Sequence, residues 1–72
     1  MNIKEATLQL FLKHVIIIYK DNSPSYNLYG QSLIGILTGR NWGKDSIVSI
    51  NIRKENQDFL IPVEDIETIE AL

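Results

Sequence analysis

The chain has 72 residues, with seven Lys and Arg against nine Asp and Glu, one His, no Cys and 44% apolar residues. That length allows one domain, near the lower limit for a core without staples, and the missing cysteines exclude disulfides and thiolate metal sites. One histidine excludes a His-based metal cluster, no apolar run reaches the roughly 20 residues of a bilayer span, and no secretory leader pattern is present. The expectation is a cytoplasmic protein, a single domain over residues 1–72, with no cofactor, metal or membrane contact.

The net charge of −2 gives no overall attraction to nucleic acid. The charge is unevenly divided, however. Residues 1–54 hold all seven cations against three acids, Glu5, Asp21 and Asp45. Residues 55–72 hold six acids, Glu55, Asp58, Glu64, Asp65, Glu67 and Glu70, and no base. Such a division marks either an interaction surface or a solvated acidic face.

Residues 2–13 predict a short helix. Asn2 is a suitable N-cap, and Glu5, three positions on, completes a capping-box pattern. Ile3, Ala6, Thr7, Leu10 and Phe11 fall on one helical stripe, while the alternation of Leu8, Leu10 and Leu12 with Thr7, Gln9 and Phe11 leaves a strand over 7–13 open. Residues 14–19 follow as a β-branched strand, too apolar on both faces to stand against solvent. Asn22, Ser23, Pro24 and Ser25 compose a loop.

Residues 28–38 predict a second strand, with Gly35 set among apolar residues where the backbone must bend or approach a neighbour closely. A second loop, 39–45, is bounded on one side by Gly39 and contains Gly43. Residues 46–53 alternate, with Val48, Ile50 and Ile52 expected inward and Ser49, Asn51 and Arg53 outward. A polar turn at 54–58 leads to a short strand at 59–61 that Pro62 ends or confines to a sheet edge. A turn at 63–65 and a last short strand at 66–69 complete the chain. The fold class expected is mainly β with a short N-terminal helix: a small, five-stranded, strongly bent barrel over about residues 14–71, of SH3-like or Sm-like type.

Two segments sharpen that expectation. Val15 to Asp21 is an apolar strand run closed by Lys20 and Asp21, and Gly30-Gln31-Ser32-Leu33-Ile34-Gly35-Ile36-Leu37 matches a Gly-x-x-apolar-x-Gly-x-Leu pattern at every defined position. Together with the closing run from Phe59 to Ile69, these resemble the Sm-like proteins, which include the eukaryotic Sm and Lsm proteins and the bacterial RNA chaperone Hfq. The resemblance implies a homo-oligomeric ring that binds RNA. The chain departs from the family in the segments that line the family's RNA pore. Residues 22–29 look like an insertion, Gly39-Arg40-Asn41-Trp42 replaces an Asp-centred loop, and Pro62-Val63-Glu64 replaces a Tyr-Lys-His run. The Arg-Gly pair of the eukaryotic proteins is missing.

Candidate binding residues fall in two groups. Arg40, Asn41, Trp42 and Lys44 combine two cations with the only tryptophan, a set suited to phosphate contact and base stacking, unless Trp42 folds over the barrel end as core. Tyr26 and Tyr29 give a polar-aromatic patch suited to a protein or ligand contact, or to plain loop packing. His14, at the helix-to-strand junction, needs no role beyond a helix C-terminus. No serine lies in a nucleophile-elbow pattern, and Glu64 and Asp65 are adjacent, which points them apart in extended chain. The leading expectation is therefore a non-enzymatic interaction module or inhibitor that binds a protein partner and self-associates. The alternative is an Sm-like ring that binds RNA or a small nucleotide.

Overall fold

A curled antiparallel sheet organises the molecule, in a computed structural model that describes residues 2–72. The elements run α1 (Ile3–Gln9), β1 (His14–Tyr19), α2 (Pro24–Tyr29), β2 (Ser32–Trp42), β3 (Ile47–Lys54), β4 (Gln57–Pro62), a 3-10 turn (Val63–Asp65) and β5 (Ile66–Ala71). The strand order is β4-β3-β2-β1-β5. The protein is thus mainly β with five antiparallel strands and a short N-terminal helix. Five strands at about 4.8 Å spacing would span about 19 Å if flat. Yet Val15 and Ile17 of β1, Leu33 and Leu37 of β2, Ile50 and Ile52 of β3, Ile61 of β4 and Ile66 of β5 belong to one buried cluster. Only a sheet wrapped around its own inner face brings all five strands to one core. No ladder joins β4 to β5 among the described residues; the 3-10 turn connects these two edges.

The wrap depends on β2, the only strand of 11 residues, which pairs with β1 through its first half and with β3 through its second. Gly35 faces Val15 on the inner side, where its backbone lies against β3. A Cβ built there would stand 2.5 Å from Ile52 Cγ2 and 2.7 Å from the Arg53 carbonyl oxygen. Bulges add curvature. Thr38 is the extra residue of β2 against β3, Val48 the extra residue of β3, and Glu67 the extra residue of β5 against β1.

Several boundaries differ from the sequence expectation. The helix predicted over 2–13 ends at Gln9, although its start is as expected, with the Glu5 N–H donating to Asn2 Oδ1 at 2.9 Å. Lys13 N–H closes a turn on the Leu10 carbonyl at 3.0 Å, Leu12 takes φ +63°, and Phe11 leaves the buried stripe at 51% exposure. Residues 24–29 form a helix rather than a loop running into a strand. Ser23 Oγ accepts from Tyr26 N–H, Pro24 occupies the first turn, and Gly30 at φ +90° ends it. The second strand consequently begins at Ser32, not 28, and runs through Gly39, Arg40, Asn41 and Trp42, where the sequence predicts a loop. Strand β3 does not alternate throughout. The bulge at Val48 turns that residue outward, 51% exposed, and buries Ser49. The polar turn shrinks to Glu55–Asn56, both at positive φ, in a two-residue hairpin between paired Lys54 and Gln57. The last two strands extend beyond their predicted ends, to Gln57–Pro62 and Ile66–Ala71.

One buried polar contact ties α2 to the far end of the chain. Asp65, 4% exposed, accepts from Ser25 N–H at 3.1 Å and from Ser25 Oγ at 2.6 Å, while its carbonyl accepts from Lys20 N–H at 2.8 Å. Asp65→Ala strands both Ser25 donors. A loss of about 2–3 kcal/mol in urea unfolding is expected, within the range for hydrogen bonds to charged groups. Gly35→Ala should lose about 1–3 kcal/mol by overpacking, and Gly35→Val more, because the obstruction includes backbone that cannot swing aside. An unchanged midpoint for Gly35→Val would remove the close-approach argument.

Candidate functional site

The candidate residues do not form one site. Arg40, Asn41 and Trp42 lie at the C-terminal end of β2, whereas Tyr26 and Tyr29 lie on α2, just before the strand's N-terminal end. Lys44 sits in the turn after β2, exposed.

At the first end, strand β2 runs beside α1. Arg40 Nη1 donates to the Lys4 carbonyl and to Thr7 Oγ1, both at 3.4 Å. Its guanidinium carbon lies 5.4 Å from the Trp42 ring centroid, and Lys4 Nζ lies 5.9 Å from it. Each exposed cation–π contact of this kind contributes about 0.5–1 kcal/mol. Trp42 is 50% exposed and absent from the core cluster, so it does not fold over the end of the sheet as core. Asn41 points elsewhere: its amide nitrogen donates to Ser49 Oγ and Asn51 Oδ1, both at 3.0 Å, which fixes the β2–β3 bulge region rather than offering a free contact. Between α1 and β2 lies a mostly apolar groove of about 250 Å³, lined by Thr7, Leu8, Phe11, Gly39 and Arg40. Leu8 and Phe11 are exposed members of that lining, Leu8 at 66%.

Lys4, Leu8 and Phe11 belong to this surface and were missed as site residues. The only signal in the sequence was the helical reading itself, which assigned Phe11 to the buried stripe. Because α1 stops a turn early, Phe11 is left beside the groove instead.

At the second end, Tyr29 bridges two rings, with centroids 6.1 Å from Tyr19 and 5.5 Å from Phe59, the latter edge-on. Tyr26 packs against the core cluster. A shallow, largely polar depression of about 240 Å³ opens beside Tyr29 and Phe59, lined also by Ser32, Lys54, Glu55 and Gln57. Tyr29 therefore acts as a packed bridge with one open flank. The Tyr19 hydroxyl is buried without a hydrogen-bond partner among the described residues. Burial first, then the Tyr29 and Asp65 charges, push its pKa up to about 12.

Among the described residues, no group of three or more His, Cys, Asp or Glu could hold a metal ion, and no helix is long and apolar enough to cross a membrane. No protein-family model, no curated protein and no solved structure matches the chain.

Trp42→Ala should leave the fold intact, with a stability change near 1 kcal/mol for a half-exposed ring. A loss of about 3–5 kcal/mol would mark it as core instead. Tyr19 gives a pH prediction. Its folded pKa lies above the ordinary value near 10, so its contribution to stability is complete below pH 10 and declines as pH rises towards 12. Tyr19→Phe should hold or slightly raise stability at neutral pH, since it removes a buried unpaired hydroxyl. It should also give a shallower alkaline decline than the parent in urea titrations between pH 8 and pH 11. A clear loss at neutral pH would show that the hydroxyl has a partner.

Proposed function

We propose that this chain is a non-enzymatic interaction module, and that the surface formed by α1 and the end of β2 takes a segment of a protein partner. One observation carries the reading. The only tryptophan stands half out of the molecule, beside Lys4 and Arg40, although the core is complete without it. Exposed Trp and Arg next to an apolar groove are the residue types that dominate binding energy at interfaces. The groove suits an apolar anchor, and the two cations suit carboxylates beside it. A segment that pairs acids with a Leu, Ile or Phe fits both. The reading assigns the module a cytoplasmic setting and includes self-association, supported by the small core and by the apolar surface left open elsewhere on the sheet.

A second reading keeps the Sm-like resemblance: a ring that binds RNA or a nucleotide with the same Arg40 and Trp42, helped by Lys44. Its support is the Gly30–Leu37 pattern and the adjacency of cation and indole. Against it, a base stacking on an indole face that carries a cation has to displace that cation, and Asn41 is already committed to Ser49 and Asn51.

Native mass spectrometry on protein purified without nuclease separates the two. The interaction reading expects no nucleotide mass. It also expects a protein retained by the immobilised chain and lost with Trp42→Ala and with Arg40→Glu. A ring-sized oligomer carrying nucleotide mass would favour the second reading. Retention indifferent to both substitutions would remove this surface from either.

A further inference from the structure

The outer face of the sheet is apolar, with Ile16 and Ile18 of β1 and Ile34 and Ile36 of β2 on the side away from the core. Apolar side chains also stand open at the end of the molecule that holds α1, and there the charges beside them are informative. Leu8, Phe11 and Leu12 are exposed, and Leu72, just beyond β5, is 67% exposed. The linker from α1 to β1 holds them together. Phe11 lines the groove beside Leu8, and three residues on, the His14 carbonyl accepts from Leu72 N–H at 3.1 Å. Three residues span at most about 11 Å, so the groove and Leu72 lie close together at one end.

The charges at this end divide between the same two features. Lys4 and Arg40 flank the groove, and neither has a carboxylate within ion-pair distance, because Arg53–Asp58 is the only ion pair among the described residues. Glu5 is the one acid on α1. On the other side, Glu67 and Glu70 of β5 are exposed and equally unpaired. Glu70 lies opposite Ile16 and Ala71 opposite Val15, so Glu70 and Leu72, two positions apart, stand on the same side of the strand. An acid followed at that spacing by an open leucine suits a groove with cations beside it. Within one chain the two do not meet: β1 separates β5 from β2, and Leu72 is held at His14.

We propose that the groove between α1 and β2 takes Glu70 and Leu72 of a second copy, in a two-fold dimer that makes this contact twice. Leu72 enters beside the partner's Leu8 and Phe11, and Glu70 meets the Arg40 and Lys4 cations next to Trp42. An isologous interface requires a patch complementary to itself. A patch with the groove on one side and Leu72 on the other meets that condition, since a two-fold axis rising between them lays each over its counterpart. The division of charge along the chain, with all seven cations before residue 55 and six acids after it, then becomes an attraction between copies. The inference rests on the proposed reading of the groove and names its occupant.

Sedimentation velocity on the full chain across the micromolar range tests it. The parent should be a dimer that weakens as salt rises. Leu72→Asp and Glu70→Lys, both at exposed positions, should each weaken it about tenfold or more with an unchanged far-UV CD spectrum. Arg40→Glu should do the same, and mixing it with Glu70→Lys should restore association, since the introduced Lys and Glu then face each other. Leu72→Asp leaves the groove intact and Trp42 is the only tryptophan. A synthetic peptide of residues 67–72 should therefore shift the emission of that variant saturably, and should leave it unchanged once Arg40→Glu is added. A monomeric parent, or a peptide that does not move Trp42 emission, would overturn this inference, and the groove reading then stands or falls by the retention test. A dimer lost with Arg40→Glu but kept with Leu72→Asp and Glu70→Lys would overturn the occupant and keep the groove. A dimer indifferent to all three would overturn the two-fold contact, and charge variants that do not restore one another would overturn the pairing of Glu70 with Arg40. Should Arg40→Glu fail to fold, Leu72→Asp and the peptide decide.

Discussion

The close approach of the β2 backbone to β3 at Gly35 is the constraint on which the rest of the structure depends. β2 is hydrogen-bonded on both sides, to β1 and β3, so its curvature sets the angle between the two halves of the sheet. With no side chain at 35, the strand settles against Ile52 and the Arg53 carbonyl, and the inner residues of both halves converge on one core. A chain this short cannot bury enough apolar surface in a flat sheet. Curling lets the sheet act as its own second layer. The same curvature carries the C-terminal end of β2 to α1, where Arg40 reaches the helix backbone and Trp42 is left at the surface.

Much of this was legible in the residues. The capping signal at Asn2 and Glu5, the β-branched run at Val15, the glycine within an apolar strand, and Pro62 as a strand terminus each reflect a local rule that the fold obeys. The misreadings have specific causes. Ser23-Pro24 is a helix start as well as a loop signature, and a six-residue helix offers too little periodicity to outweigh Asn, Ser and Pro composition. Gly39 reads as a loop boundary, yet it lies opposite Asn51 just after the Thr38 bulge, inside a continuing ladder. The alternation of β3 failed at Val48 because a bulge is a property of two strands together, and neither sequence alone shows it.

The candidate site was legible as chemistry but not as geometry. Arg40 and Trp42 do come together, as their spacing on one strand allows, but the contribution of Lys4 depends on how α1 packs, 36 residues earlier in the chain. Asn41 bonds Ser49 and Asn51, and Tyr26 packs against the core cluster, neighbours that neither residue's type announces. The outer isoleucines show the converse. Their apolarity was evident in the sequence, whereas their position on the solvent side follows only from the register.

The contact between Ser25 and Asp65 links residues 40 positions apart. It has a consequence for the order in which the molecule assembles. The β2–β3 and β3–β4 hairpins close over short distances in the chain, whereas the β1–β5 ladder joins Val15 to Ala71, and α2 bonds a carboxylate that immediately precedes β5. Long-range closures of this kind form late, because the intervening chain must be ordered first. The α2 helix and the start of β5 are thus held at one point, the Asp65 carboxylate, and whatever frees β5 there frees the anchor of α2 as well.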